Sequence, residues 1–421
     1  MLGHIEVLQE VYYMEHVLQY SLNIREVTYA LTEALDFVGI DDNMHGKRVA
    51  YMAAELSKSL SWSKKRTDDI IFTGMLHDCG VSSTDVHTHL VTELDWEDSY
   101  IHSIRGENLL KRTKIYQEFS TYIRYHHTHW NELPDTLSKE EKEMSNLIYL
   151  ADRVDALRSQ LKAIDANSAY NIEATIKKYS NIMFSPELVD VFSTTSLRNS
   201  FWFYLDEEAL NEYLNEWVES AQEQEFSFVE VKEIAMMFAA IVDAKSAFTS
   251  EHSLGVATLS RYLAELFKLP QDVCEKIELS GLLHDLGKLR VSDEILNKSS
   301  KLNADERLKM NRHGFDSDMV LRRIKGFREI AHIASLHHET LDAKGYPYSL
   351  SASEIPFEAR IIAVADIFQA LIQNRPYRSG LSMDEAYEII FSMCKDKKLD
   401  FTIVTKLKEN LQTCYDKASI K

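Results

Sequence analysis

Apolar residues recur at helical spacing along nearly the whole chain, as in RVAYMAAELSKSL and GVATLSRYLAELFKL. Positions separated by three and four residues share one face of a helix, so this spacing predicts amphipathic helices. Start signals agree. Ser185-Pro186-Glu187 reads as an N-cap followed by proline at the first helical position, and Ser382-Met383-Asp384-Glu385 has capping-box spacing. No convincing pair of alternating strands is found, and six prolines are few for 421 residues. The predicted fold class is all-α.

The pattern also repeats. MHGKRVAYMAAEL resembles EHSLGVATLSRYLAEL, GMLHDCG resembles GLLHDLGK, YIRYHHTHW resembles IASLHHETLD, and IYLADRVDAL resembles IAVADIFQAL. His45 to His252 and His77 to His284 are both 207 residues apart, and His102 to His313, His126 to His337 and His127 to His338 are all 211. Asp152 to Asp366 is 214. Ten of the sixteen histidines fall on this doubled lattice, which surface decoration would not preserve twice. The repeat predicts two tandem domains, 1–224 and 225–421, divided at the polar stretch Ser220–Glu225. Residues 160 to 220 have no counterpart in the second half. Their aromatic run, Phe201-Trp202-Phe203-Tyr204, reads as core or interdomain packing rather than as a ligand platform.

Composition narrows the function. A net charge of −19 argues against a nucleic-acid polymer as partner, because such partners need a basic face, but leaves a small anionic ligand open. Cys79, Cys274, Cys394 and Cys414 are scattered without a CxxC pair and read as buried small hydrophobes of a reducing compartment. The N-terminal MLGHIEVLQEVYYMEHVLQY lacks the basic region of a signal peptide, and IAMMFAAIV is too short to span a membrane. A cytoplasmic protein is expected. A homodimer is left open.

The chemistry concentrates in the second half, at His252, His284, Asp285, His313, His337, His338 and Asp366. Imidazole and carboxylate suit Fe, Mn or Zn. One ion needs four to six ligands, so seven suggest two ions bridged by a carboxylate. Asp285 is the natural bridge, since its neighbour His284 diverges from it by about 100° on a helix. A two-metal site suits phosphodiester cleavage: the ions activate a bridging water and clamp the attacking and leaving oxygens. Lys288, three residues beyond Asp285, is placed to neutralise a phosphoryl oxygen.

With HDLGK288, His313, HHE339, the DAKGYP stretch from Asp342 to Pro347, AVAD366 and RPYR378 in hand, residues from about 230 to 415 are identified as resembling the HD-GYP family of metal-dependent phosphohydrolases. The resemblance implies hydrolysis of a cyclic dinucleotide to a linear 5′-phosphorylated dinucleotide, with Fe(II) or Mn(II) as cofactor and the seven residues as ligands. It implies that Lys288 contacts the scissile phosphate, that Arg375 and Arg378 contact the ligand, and that Asp342, Gly345, Tyr346 and Pro347 form a ligand-proximal turn. Three departures stand out. Ala343 replaces the family's glycine, and Gln369 stands where an aspartate is usual. Phe248 occupies the position of an extra acidic ligand, which argues for two ions rather than three.

The first half keeps His45, His77, Asp78, His102, His126, His127 and Asp152, but has Val81 in place of Lys288 and no Gly-Tyr-Pro turn. By resemblance it is a degenerate HD domain, expected to bind metal. The missing lysine argues against catalysis; were it active, removal of the terminal phosphate from the linear product would suit it. The tandem arrangement resembles that of bacterial phosphodiesterases acting on 3′3′-cyclic GMP-AMP (3′3′-cGAMP), which stands as a candidate substrate beside cyclic di-GMP (c-di-GMP). A silent cyclic-dinucleotide sensor and a di-iron oxygenase are the alternatives. His87, His89 and His129 lie off the lattice and are expected to be exposed.

Overall fold

The computed structural model describes residues 19–39, 44–161, 165–245, 252–374 and 379–419. Among these residues the architecture is all-helical apart from one two-stranded sheet. β1 (Gln19–Leu22) runs antiparallel to β2 (Gln224–Ser227), with Tyr20 opposite Phe226. This ribbon was not foreseen from the sequence, because four-residue strands carry too little alternation to register. Its consequence is architectural: β1 and β2 join the start of the first half to the start of the second.

Each half builds the same core pair. In the first, His45–Ser59 packs on Lys64–Leu76; in the second, His252–Leu266 packs on Gln271–Leu283. The crossing point is equivalent in both. A Cβ on Gly74 would lie 2.6 Å from the Cα of Ala50, and one on Gly281 would lie 2.8 Å from the Cα of Ala257. Only glycine lets the two backbones approach so closely. A third helix, Lys139–Ser159 or Phe357–Ile372, packs on each pair. Ser382 and Glu385 form the anticipated capping box, whereas Ser185 makes no side-chain cap and instead donates its N–H to Asn146.

The halves share a core as well as a ribbon. Val27, Leu31, Leu76 and Phe119 of the first half join Ile234, Phe238, Leu283 and Leu321 of the second in one buried cluster. Ile24–Asp36 packs on His313–Leu321, and Phe228–Lys245 packs on Tyr100–Lys111. Each half's leading helix thus braces a histidine-bearing helix of the other. Around this seam Glu33 pairs with Arg323, Glu26 with Lys325 at 2.8 Å, and Thr84 N–H donates to Asp293 at 2.8 Å. Of the aromatic run, Phe201 and Trp202 are buried in the first-half core beside Tyr51, while Phe203 and Tyr204 are exposed. Cys79, Cys274 and Cys414 are buried and all four thiols are free. Among the described residues no helix is long and apolar enough to cross a membrane.

Candidate metal centres

The histidines reach their places through helix ends. A helix leaves its last carbonyls without intrahelical partners. His77 caps Lys64–Leu76 and donates Nδ1–H to Gly74 O at 2.7 Å; His284 caps Gln271–Leu283 and donates to Gly281 O at 2.8 Å. His126, His313 and His337 do likewise to Ile123, Met310 and Ala334. A carbonyl only accepts, so each Nδ1 carries the proton and each Nε2 presents a bare lone pair.

In the second half those lone pairs converge. Nε2 of His313 and His337 lie 3.2 Å apart. The Asp285 carboxylate divides the cluster. Its Oδ2 lies 3.6 Å from His252 Nε2 and 3.3 Å from His284 Nε2, while Oδ1 lies 3.6 Å from His313 and 3.8 Å from His337. Asp366 Oδ1 is 3.3 Å from His252 Nε2. Two donor sets result: His252, His284 and Asp366 on one side, and His313, His337 and His338 on the other, with Asp285 between them. Lys288 Nζ contacts Asp285 Oδ2 at 2.5 Å and stays partly exposed.

The first half reproduces this arrangement. His45 and His77 approach Asp78 Oδ2, and His102 approaches Oδ1 at 3.4 Å; Asp152 Oδ1 is 3.3 Å from His45 Nε2. His102 and His126 Nε2 atoms are 3.1 Å apart, and His127 completes the set. Arg153 and His87 set it apart. Arg153, fully buried, donates to Asp152 Oδ2 at 2.8 Å and to the carbonyls of Leu90 and Glu93. His87, expected to be exposed, is buried, with its ring 6.1 Å from that of His45. The helix Thr84–Thr92 folds it inward beside Asp78 and Val81, a placement that the absence of a lattice partner could not reveal. His89 is indeed exposed and His129 partly so.

The electrostatics fit cations. Burial pushes His102 and His313 down to about 4 and His126 and His338 down to about 3, so these imidazoles are neutral donors at physiological pH. Burial raises Asp285, but His284 and Lys288 outweigh it and hold the carboxyl well below its ordinary range. Asp78 sits at about 2, where His77, His102 and His45 overcome its burial. Burial lowers His284, yet the Asp285 carboxylate outweighs it and raises the imidazole above its ordinary range. Buried His284 Nε2, Asp285 Oδ1 and Asp78 Oδ1 lack hydrogen-bond partners. Such orphaned donor atoms, aimed at common points, are what an ion would satisfy.

The Gly-Tyr-Pro turn borders the second-half cluster. The Tyr346 ring lies 4.7 Å from that of His338, and Pro347 abuts Gly314 beside His313. A Cβ on Gly345 would meet the Thr340 nitrogen at 2.4 Å. Asp342 is turned into its own loop, accepting from the Thr340 hydroxyl at 2.6 Å and from Lys344 N–H. Ala343 adopts a left-handed φ of 58°. Arg375, Arg378 and Phe248 lie outside the described residues.

Several contributors carried no assigned role in the sequence. Buried Glu339 accepts the N–H groups of Tyr348, Ser349 and Leu350 at 2.7 to 3.1 Å and so fixes the turn. Its only signal was an acid beside the histidine pair. Asp36 and Asp243 occupy equivalent buried positions behind the first histidine of each half, and burial lifts both to about 6. Asp36 accepts Gly46 N–H and Asp243 accepts the Ser253 hydroxyl. Their shared 207-residue offset was the available clue.

Two family models, each described as an HD domain, match residues 44–157 and 236–403. The chain is 34% identical over 406 residues to "3′3′-cGAMP-specific phosphodiesterase 1" of Vibrio cholerae, covering 94% of each chain. It is 26% identical to "3′3′-cGAMP-specific phosphodiesterase 3" of the same organism, covering 89% of this chain and 92% of that one. A solved Vibrio cholerae structure, described as a cyclic GMP-AMP-specific phosphodiesterase (V-cGAP3), superposes with a TM-score of 0.63 at 23% identity over 94% of this chain and 98% of that one; at this identity it shows the shared fold.

Proposed function

The chain belongs to the HD-domain phosphodiesterases of cyclic dinucleotides, and from that membership we propose that its second half hydrolyses 3′3′-cGAMP, c-di-GMP or both to a linear 5′-phosphorylated dinucleotide. The reading rests above all on Asp285, whose two oxygens face two separate groups of Nε2 lone pairs. The whole-chain relatives named for 3′3′-cGAMP support that ring as substrate.

His252, His284, Asp366 and Asp285 would hold one ion, and His313, His337, His338 and Asp285 the other, with Fe(II) or Mn(II) the ions of choice. When bound, such ions lower the pKa of water and stabilise charge on phosphoryl oxygens. The protein's own part is orientation and charge. Helix-end carbonyls lock the tautomers of His284, His313 and His337, so these three need no change of tautomer to accept an ion. Lys288 stands at the partly exposed edge of Asp285, where its ammonium can transfer from the carboxylate to a phosphoryl oxygen of the ligand. Tyr346 walls one side of the cluster against His338.

The test is anaerobic turnover of the full chain with Fe(II) or Mn(II), each ring offered separately and products resolved by chromatography. Metal-dependent linear product from wild type and none from Asp285→Ala supports the reading. Tight ring binding without product points to a sensor, and product that forms only when oxygen is admitted points to an oxygenase. The first half, with an equivalent donor set around Asp78, is read as a second metal centre. If it removes the terminal phosphate from the linear product, His77→Ala/Asp78→Ala loses phosphate release; unchanged release excludes that step.

A further inference from the structure

The two halves differ behind their first histidine. In the first, His45 Nδ1 donates to Asp155 Oδ2 at 2.8 Å, and Asp155 Oδ1 accepts from Arg48 and Arg158 at 2.7 Å each. In the second, His252 Nδ1 donates to Gln369 Oε1 at 2.6 Å. Gln369 stands 214 residues after Asp155, the offset that relates Asp152 to Asp366. Gly255 stands 207 residues after Arg48, the offset that relates His45 to His252. An ion pair in one half is therefore replaced by a glycine and an amide in the other.

The structure supplies the reason. A Cβ on Gly255 would lie 2.6 Å from Ala418 O and 3.0 Å from Gln369 Cγ. The C-terminal helix Leu411–Ala418 packs where the Arg48 side chain would run. With no arginine admitted at 255 and Ile372 standing 214 residues after Arg158, a carboxylate at 369 would be buried beside Asp366 without either of those cations. A neutral amide accepts the same hydrogen bond without burying a charge.

We propose that Gln369 is the positioning residue of the second-half centre: its amide oxygen fixes the His252 tautomer and ring so that Nε2 faces the ion shared with His284 and Asp366, and the C-terminal helix dictates that this acceptor be neutral. The proposal rests on the reading of the second half as a metal centre. An acceptor behind a ligating histidine is typically worth 10- to 100-fold in metal affinity.

The experiment titrates metal-free full-length protein with Mn(II), reading free Mn(II) by electron paramagnetic resonance, for wild type, Gln369→Leu, Gln369→Glu and Asp285→Ala. Thermal melts without metal accompany each variant. Gln369→Leu, which fills the space but accepts nothing, is expected to weaken one second-half ion 10- to 100-fold. Saturating Mn(II) then returns most of its turnover. Gln369→Glu keeps the acceptor and binds Mn(II) at least as tightly as wild type, while melting lower without metal. Wild-type affinity in Gln369→Leu overturns the proposal, as does a Gln369→Glu protein as weak as Gln369→Leu. If wild type and Asp285→Ala bind Mn(II) alike, the metal-centre reading itself has failed and the proposal falls with it.

Discussion

The glycine of each His-Asp-x-Gly motif offers the sharpest test of how the centres are held. Gly287 follows Asp285 by two residues, and a Cβ built on it would lie 2.1 Å from the carbonyl oxygen of His313. Contact between such atoms begins at about 3.4 Å, so Gly287→Ala must drive the two segments apart by more than about 1 Å. His313 bears an Nε2 only 3.2 Å from that of His337, and ligand distances tolerate about 0.2 Å. Overpacking alone costs about 1–3 kcal/mol. A misplacement of about 1 Å costs about 100-fold in rate. Gly80→Ala is the matched control, because its Cβ would lie 1.9 Å from His102 O in the first half. The assay pairs cyclic-dinucleotide turnover with bound-metal analysis and thermal melts. Gly287→Ala is expected to lose second-half metal and at least about 100-fold of turnover, with Gly80→Ala sparing both. Wild-type turnover and metal content in a folded Gly287→Ala protein would refute the reasoning that backbone contact, rather than the ligands alone, sets the geometry.

Glu339→Gln replaces a charged acceptor of three backbone N–H groups with a neutral one that has a single acceptor oxygen; stability is expected to fall by about 1–3 kcal/mol and KM to rise more than kcat falls, read by melts and steady-state kinetics. Ala343→Gly relieves a left-handed φ of 58° that costs alanine about 1 kcal/mol, so the melting temperature is expected to rise by a few degrees. Asp36 has a folded-state value of about 6, above its usual 3.8, so it favours the fold below pH 4 and loses that contribution as pH rises through 6. Asp36→Asn is accordingly expected to stabilise metal-free protein at pH 8, by at most about 3 kcal/mol, and to leave it unchanged near pH 4. A gain that does not depend on pH counts against burial of the charge as the cause.

The sequence made legible what residue type and spacing alone enforce. Metal ligation demands histidine and aspartate at fixed intervals, and a repeat displays each interval twice, so the fourteen lattice residues stood out and the structure brings them into two clusters. Helical periodicity exposed the helices for the same reason. What stayed hidden depends on packing between distant segments. QYSL and QEFS pair only because two helical halves bring them together. His87 is buried by a tertiary docking of Thr84–Thr92 that its own helix does not encode. The shared core between Ile24–Asp36 and the second half has no sequence pattern distinct from an ordinary amphipathic face.

The reciprocal bracing of the two halves resembles a twofold dimer written into one chain. In a true homodimer every substitution appears at both sites at once, so the sites are bound to evolve in step. Two copies within one chain carry no such constraint. The first half has Val81 where the second has Lys288 and sets Arg153 against Asp152, while the second has Gln369 beside the helix Leu411–Ala418. The shared core joins the two halves into one packed unit, and the single chain lets their two sites differ in chemistry.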